Sequence, residues 1–219
     1  MAGILFIISA PSGSGKSTLV SQLRSLVAGL EFSISYTTRQ PRGSEKDGLE
    51  YHFTTRVEFE RMIAAAEFLE WAEVFGNYYG TALSALAIAK QNNNDLLLDI
   101  DVQGAVQIMH KRKDAVSIFI MPPSPQVLEM RLRNRSVAEH MTAEDVIEMR
   151  LQEARKELSR LREYRYAIVN DVLDLAVGEL AAIVLTERND PDAAVAIAHS
   201  CRTSVESPRL HDALASFDS

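Results

Sequence analysis

The chain begins with a short apolar run that leads directly into a glycine-rich loop. Residues 4–8 read Ile-Leu-Phe-Ile-Ile, and a turn-forming stretch follows at residues 11–15. A short, continuous run rich in β-branched residues is typical of a strand buried on both faces, as in a parallel sheet. Apolar residues then recur at helical spacing, at Leu19, Leu23 and Leu26. We therefore predict a buried strand, a tight loop and a helix in succession.

The loop between this strand and helix has the composition of a phosphate-binding loop. Glycines let backbone N–H groups turn inward around phosphate oxygens, and the N-terminus of the next helix is partially positive. Lys16 can reach terminal phosphates, and the Ser17 hydroxyl can bind Mg²⁺. The generic motif begins with glycine, whereas this chain has Ala10. The loop alone predicts that ATP or GTP binds at Ala10, Pro11, Ser12, Gly13, Ser14, Gly15, Lys16, Ser17 and Thr18.

Strands and helices alternate along much of the remaining chain. Further strands are predicted at residues 96–100, 116–120 and 166–169, and helical segments at 106–111, 125–133 and 173–185. This alternation predicts an α/β fold with a parallel sheet flanked by helices. Asp99 and Asp101 alternate along the chain, so we expect both on one face of a strand, with Asp99 near a metal ion.

Residues 33–94 interrupt this alternation and are predicted to form an inserted subdomain. Strands are expected at residues 32–37 and 49–53, on either side of a turn-rich stretch. Thr55 and Glu58 have the spacing of a capping box, which predicts a helix reaching about residue 66. We expect Trp71 to pack in the core.

Residues 131–163 form a second interruption, with two predicted helices that are rich in arginine. Arg131 and Arg135 are four apart and share a helix face, whereas Arg133 points elsewhere. The second helix carries an apolar stripe. Residues 188–219 are predicted to form at most a marginal helix and then to be disordered.

Composition restricts the classes of partner. The 219 residues carry a net charge of −7, which makes non-specific binding to nucleic acid or to a membrane surface a poor hypothesis. The single cysteine excludes an intrachain disulfide and fits a reducing compartment. We expect a cytoplasmic protein, a monomer or a weak homo-oligomer, with no nucleic-acid or membrane partner.

Several sequence blocks together resemble the guanylate kinase family. The most specific are Ser-Tyr-Thr-Thr-Arg-Gln-Pro-Arg and Gly-Asn-Tyr-Tyr-Gly, and the resemblance extends over about residues 4–187. This family tolerates alanine at the first loop position, which accounts for Ala10. The blocks are residues 9–17, 33–42, 48–53, 68–72, 76–81, 98–104 and 168–171.

The resemblance implies a nucleoside monophosphate kinase that uses ATP with Mg²⁺ to phosphorylate GMP to GDP. It implies a P-loop NTPase core (residues 1–32, 95–130 and 164–187), a mixed α/β GMP-binding insert (33–94), a helical lid (131–163) and a C-terminal tail (188–219). Asn170 matches an adenine-contacting position, and Ser17 with Asp99 would hold the metal. The implied catalytic residues are Lys16, Arg131, Arg135 and Arg150. The implied GMP-binding residues are Ser35, Arg39, Arg42, Tyr51, Glu70, Tyr79, Thr81 and Asp101.

The chemistry of guanine makes these roles plausible. Guanine presents two adjacent donors and one acceptor, so an ionised Glu70 can accept from both donors while Ser35 donates to O6. Arg39 and Arg42 can fork around the GMP phosphate. Without the resemblance, Glu70 would more often be an exposed strand carboxylate, and the two arginines solvated turn residues.

Two other functions stay open at this level. One is a kinase for AMP, dTMP or UMP, against which Ser35 and Glu70 argue. The other is a non-catalytic module that binds phosphopeptides at a former GMP site, against which the intact Lys16 and Ser17 argue.

Overall fold

A computed structural model describes residues 3–138, 144–205 and 207–218 of the chain. The chain forms two compact units, one containing Gly29–Ala115 with the described residues up to Ile7, the other containing Ile8–Ala28 with the described residues from Val116 onward. The first strand, β1 (Leu5–Ser9), contributes residues to both units.

The remaining elements of the first unit are short strands with three helices. They are β2 (Leu30–Phe32), β3 (Tyr36–Thr37), β4 (His52–Phe53), α2 (Arg56–Ala64), β5 (Phe68–Val74), β6 (Asn77–Ala82), α3 (Ser84–Gln91), β7 (Asp95–Asp99) and α4 (Val102–Lys111).

The second unit contains two strands and most of the helices that the structure describes. Its elements are α1 (Lys16–Leu26), β8 (Val116–Met121), α5 (Pro125–Ala138), α6 (Glu144–Leu158), a 3₁₀ turn (Leu161–Glu163), β9 (Tyr166–Val169), α7 (Leu173–Glu187), α8 (Val195–Ser200) and α9 (Pro208–Asp218).

The central sheet has five strands in the order β2-β7-β1-β8-β9, and the β2–β7 and β8–β9 pairs are parallel. Every residue of β1, β8 and β9 is buried. Strands buried on both faces read as continuous apolar runs, which is why they were recognisable in the sequence. The predicted α/β fold with parallel strands and flanking helices is confirmed.

A second, mixed sheet lies within the first unit in the order β4-β3-β6-β5. The β3–β4 pair is parallel, whereas β3–β6 and β5–β6 are antiparallel. One face is aromatic: Phe59 of α2 stacks on Phe68 at 4.4 Å and on Tyr78 at 5.3 Å between ring centroids. Side chains alternate along β6, so Tyr79 and Thr81 lie on the face opposite Tyr78. The register shift between Phe68 and Glu70 pairs Glu70 with Thr81 and so places it on that same face.

The predicted strand at residues 32–37 is wrong as a single element. The chain pairs with β7 up to Phe32 and with β6 from Tyr36, so it passes from one sheet to the other through the residues between. The strand predicted at 49–53 is also shorter, because Gly48, at φ 76°, donates its N–H to the Tyr51 carbonyl and forms a turn.

The helix predicted after Thr55 is confirmed, since the Thr55 side chain accepts from the Glu58 N–H at 3.2 Å. Asp101 is not on a strand: β7 ends at Asp99, and Asp101 is the N-cap of α4. The predicted core position of Trp71 is wrong, because its side chain is 37% exposed.

The prediction of disorder after residue 187 is wrong for the described residues. Helices α8 and α9 form there, and Leu210 and Ala213 of α9 are buried. Both helices are short, so the segment gains its order from packing on the preceding elements rather than from helix propensity alone. Within the described residues no helix is long and apolar enough to span a bilayer.

We predict that Phe59→Ala lowers the free energy of unfolding by about 3–5 kcal/mol, because it removes a fully buried ring that packs on two aromatic neighbours. Val57→Ala is the control on the same helix, where the side chain is 79% exposed, and should change stability by less than about 0.5 kcal/mol. Urea denaturation followed by circular dichroism gives both values. Equal losses in the two variants would contradict this packing.

Candidate active site

The loop after β1 adopts the conformation that anion binding requires. Gly13 and Gly15 have φ of 88° and 85°, values that side chains disfavour, and Ser14 donates its N–H to the Pro11 carbonyl at 3.1 Å. Gly15 is the N-cap of α1. The backbone N–H groups of Lys16 and the next residues therefore stand at a helix N-terminus, where they lack intrahelical acceptors and favour an anion.

The Ser14 carbonyl is held from two sides within the second unit. Asn170, which is buried, donates from Nδ2 to this oxygen at 2.7 Å, and Arg131 donates from one guanidinium nitrogen at 3.3 Å. Arg131 also donates to the Asn170 carbonyl at 3.1 Å. A Cβ on Gly15 would lie 2.4 Å from Asn170 Nδ2. The structure thus brings together the loop, Asn170 and Arg131, as residues of one unit.

The other predicted lid arginines have different surroundings. Arg133 pairs with Glu129 at 2.8 Å and Glu144 at 2.6 Å, which confirms that it points away from Arg131. Arg150 is buried, and its guanidinium donates to Ser136 Oγ at 3.2 Å. The Arg135 side chain lies outside the described part of the structure.

Glu70 in the first unit is a buried carboxylate. It is 2% exposed, and its Oε1 accepts the Thr81 backbone N–H at 2.9 Å. Burial raises the pKa of the Glu70 carboxyl to about 7; the charge of Asp101 adds to the shift, and Thr81 and Lys111 partly oppose it. The alternative of an exposed strand carboxylate is therefore wrong. The Thr81 hydroxyl is also buried and lies close enough to Glu70 to help lower the pKa of that carboxyl.

The first turn of α4 lies against this carboxylate. Asp101 Oδ1 accepts the backbone N–H of Gln103 at 2.8 Å and of Gly104 at 3.0 Å, which caps the helix. A Cβ on Gly104 would lie 2.2 Å from Glu70 Oε2. Only glycine at this position allows the carboxylate to approach the helix so closely.

A second group in the same unit surrounds Arg39, which is 9% exposed. Its guanidinium donates to Glu45 at 3.0 Å and lies 5.3 Å from the Tyr51 ring centroid. Glu45 also accepts the Arg42 N–H at 2.8 Å, and the Tyr51 and Tyr79 rings are 5.9 Å apart. Although burial alone would lower the pKa of Arg39, bonding to Glu45 and the proximity of Tyr79 raise it.

The remaining predicted residues are placed less fully. Ser35 is buried, and its backbone carbonyl accepts the His52 N–H at 2.9 Å. Asp99 is half-buried at the end of β7 in the first unit, whereas Ser17 is exposed on α1 in the second. Their pairing at one metal ion stays a prediction.

Sequence reasoning assigned no role to two residues that shape these groups. Gly104 permits the approach of Glu70, and Glu45 binds both the Arg39 side chain and the Arg42 backbone. The signal for Gly104 was its place three residues after a capping Asp. No sequence pattern indicates a role for Glu45, because the turn between residues 39 and 45 must fold before its carboxylate can meet Arg39.

Comparison with known proteins relates this chain to one family. Residues 3–187 match the family model described as guanylate kinase. A guanylate kinase of Koribacter versatilis is 58% identical over 188 residues, which is 86% of this chain and 80% of that protein. One of Syntrophotalea carbinolica is 50% identical over 84% of this chain and 86% of its own. The crystal structure of guanylate kinase from Anaplasma phagocytophilum superposes with a TM-score of 0.67 at 32% identity, covering 90% of this chain and 93% of that one.

We predict that Glu70 titrates near pH 7, well above the ordinary value of 4.5. The folded state holds this proton more tightly than the unfolded state, so stability is lost as pH rises from about 4.5 through about 7. The loss is about 3 kcal/mol for a shift of this size. Carboxyl ¹³C NMR gives the midpoint directly.

Glu70→Gln is the matched control for this titration, since its amide does not ionise. The difference in unfolding free energy between the two proteins should change over that pH window. A difference that stays constant from pH 4.5 to 8, or an NMR midpoint near 4.5, would rule the raised pKa out.

Proposed function

This chain belongs to the guanylate kinase family and catalyses the ATP-dependent phosphorylation of GMP to GDP, and from that premise we propose which of its residues perform each step. The observation that carries the proposal is the buried Glu70 carboxylate, held by the Thr81 N–H and packed against Gly104. A carboxyl group in such a place is costly unless a ligand donates hydrogen bonds to it.

Guanine supplies such donors at adjacent positions. We assign its N1–H and exocyclic amine to the ionised Glu70, and its O6 to the Ser35 hydroxyl. We assign the buried Thr81 hydroxyl beside Glu70 to the same ligand. Asp101, whose charge acts on Glu70, is assigned to it as well. Adenine would leave Glu70 unpaired at a cost of about 1–3 kcal/mol or more, enough for discrimination of about 10²-fold or above.

The GMP phosphate is assigned to Arg39, Arg42, Tyr51 and Tyr79. Arg39 lies near both tyrosines, and its guanidinium is held by Glu45, so its orientation is already fixed. A guanidinium can bind phosphate oxygens through two parallel hydrogen bonds, and tyrosine hydroxyls add single donors.

ATP is assigned to the glycine-rich loop and to Asn170. The backbone N–H groups at the start of α1 and Lys16 face the terminal phosphates. The Asn170 side chain donates to the loop itself, so its proposed contact with adenine is additional to a role in shaping the loop. We assign Arg131, Arg135 and Arg150 of the lid to the phosphoryl group that is transferred. Arg150 donates to Ser136, so it must change its hydrogen bonding to reach that group.

Magnesium fits the donors that the chain offers. Among the described residues, no cluster of three or more His, Cys, Asp or Glu could form a protein cage for a metal. Mg²⁺ bound to nucleotides needs only one or two protein ligands beside phosphates and waters, and Ser17 and Asp99 supply a hydroxyl and a carboxylate. When bound, the ion neutralises charge on the phosphates.

Catalysis then consists of positioning and charge neutralisation. The acceptor phosphate is largely dianionic near neutral pH, because its second pKa is about 6, so no general base is required. Lys16 and the lid arginines stabilise charge on the transferring group, and exclusion of water by the insert (33–94) and lid (131–163) prevents hydrolysis of ATP.

Three further assignments belong to this proposal. The division into a core, an insert and a lid follows the family pattern, and the segment 188–219 lies beyond it. The acidic charge and single cysteine support a cytoplasmic enzyme with no nucleic-acid or membrane partner. We propose a monomer or a weak homo-oligomer.

We predict that the protein produces ADP rapidly with GMP as acceptor and at least about 10²-fold more slowly with AMP, dTMP or UMP. Lys16→Met should reduce turnover by at least about 10²-fold, because it removes a cation from the transferring group, while the melting temperature stays unchanged. A coupled assay measures ADP, and calorimetry measures ATP binding. Near-normal turnover in Lys16→Met, or preference for another acceptor, would contradict the assignment.

We also predict that Gly104→Ala weakens GMP binding while leaving ATP binding unchanged, because the new Cβ would displace the Glu70 carboxylate that lies 2.2 Å away. Calorimetry with each nucleotide tests this. Gly178→Ala is the control, since a Cβ there meets no atom within 4 Å. Parallel loss of both nucleotides in Gly104→Ala would indicate general damage and not displacement of Glu70.

A further inference from the structure

The chain beyond the family match packs against earlier elements of the second unit, to which it also belongs. The match ends at residue 187, yet the following residues cover the open edge of β9. Ala167 donates its N–H to the Cys201 carbonyl at 2.8 Å, and Thr203 donates to the Arg165 carbonyl at 3.2 Å. The edge of the central sheet that β9 would otherwise leave unpaired is thus capped by a bridge from this segment.

Arg209, on α9, reaches the carboxyl end of β9. Its guanidinium donates to the Val169 carbonyl, to both carboxylate oxygens of Asp171 and to Glu179 of α7. The Glu179 side chain is 12% exposed, and its other oxygen has no hydrogen-bond partner among the described residues. Arg209 therefore offsets the charge of two acidic side chains at this point.

These contacts flank the residue that holds the phosphate-binding loop. Val169 and Asp171 are the neighbours of Asn170, and Asn170 donates to the Ser14 carbonyl at 2.7 Å. The Arg209 guanidinium thus binds the backbone carbonyl of the residue before Asn170 and the carboxylate of the residue after it. Partial burial alone would raise the pKa of the Asp171 carboxyl, but the hydrogen bonds from Arg209 hold that pKa below its usual range.

The other end of α9 contacts the helices that carry the lid arginines. Phe217 packs on the cluster of Leu128, Leu132, Ile147, Leu151 and Ala154, which belong to α5 and α6. Leu210 and Ala213 are buried and lie on the same face of α9 as Phe217, at spacings of three and four. The helix is therefore fixed at both of its ends.

We propose that Arg209 is a positioning residue for ATP, which holds Val169 and Asp171 so that Asn170 keeps the phosphate-binding loop in its binding conformation. This rests on the proposed assignment of ATP to that loop. The effect is expected for ATP, because Arg209, Asn170 and Ser14 all belong to the second unit, whereas the residues assigned to GMP belong to the first.

The test compares Arg209→Met with Arg202→Met in the full-length chain. Arg202 lies in the same segment and contacts Glu187 and the Tyr166 ring, not Asp171. Arg209→Met should raise the KM and the calorimetric Kd for ATP by about tenfold or more, with the KM for GMP changed by less than about twofold. Arg202→Met should leave both nucleotides unaffected, and Arg209→Lys should restore part of the ATP affinity, since it keeps one cation.

Equal changes for ATP and GMP, or a lower melting temperature with unchanged ATP affinity, would show that Arg209 is merely structural and would overturn the proposal. If Arg209→Met does not fold, Asp171→Asn removes the partner charge at nearly constant shape and must show the same ATP-specific loss. Absence of GMP phosphorylation by the unmodified protein would refute the proposed function instead, while ATP binding by calorimetry would still decide the role of Arg209.

Discussion

The conformation of the loop between β1 and α1 depends on contacts that come from distant parts of the chain. Two glycines at positive φ turn the backbone, and the Ser14 carbonyl that this turn leaves free accepts from Asn170 and Arg131. A Cβ on Gly13 would lie 3.1 Å from Leu128 and Leu132. The end of β9, helix α5 and the loop therefore pack closely together, and these contacts hold the loop conformation to which we assign the phosphates.

The mixed sheet contains a buried carboxylate, that of Glu70. Its aromatic face packs on α2, which stabilises the unit and leaves the opposite face for polar groups. Glu70 on that face has a raised pKa because it has lost water without gaining a cation that compensates fully. In the proposed function, guanine offsets this cost with its two adjacent donors. Specificity and local destabilisation then have the same origin.

The segment after residue 187 lies beyond the family match and contacts elements within it. It caps the edge of β9, and its last described helix contacts both the strand end beside Asn170 and the apolar cluster of α5 and α6. Asp, Pro, Ser and Arg are scattered through the segment, which is why disorder was expected from the sequence. Order arises there because a single arginine and a few apolar side chains find partners far away in the chain.

Local patterns in the chain were sufficient for the first strand with its glycine-rich loop and helix, for the buried parallel strands and for the cap at Thr55, since each depends on neighbours within a few residues. Motif resemblance was sufficient for the family. Long-range pairing decided much of the rest. It split the strand expected at residues 32–37 between two sheets and buried Glu70 against Gly104. The Asp101 helix cap and the Glu45–Arg39 pair are local contacts that the sequence patterns did not indicate. The physical reason is that burial, pKa and ion pairing are properties of surroundings that distant segments supply, and no window of sequence contains them.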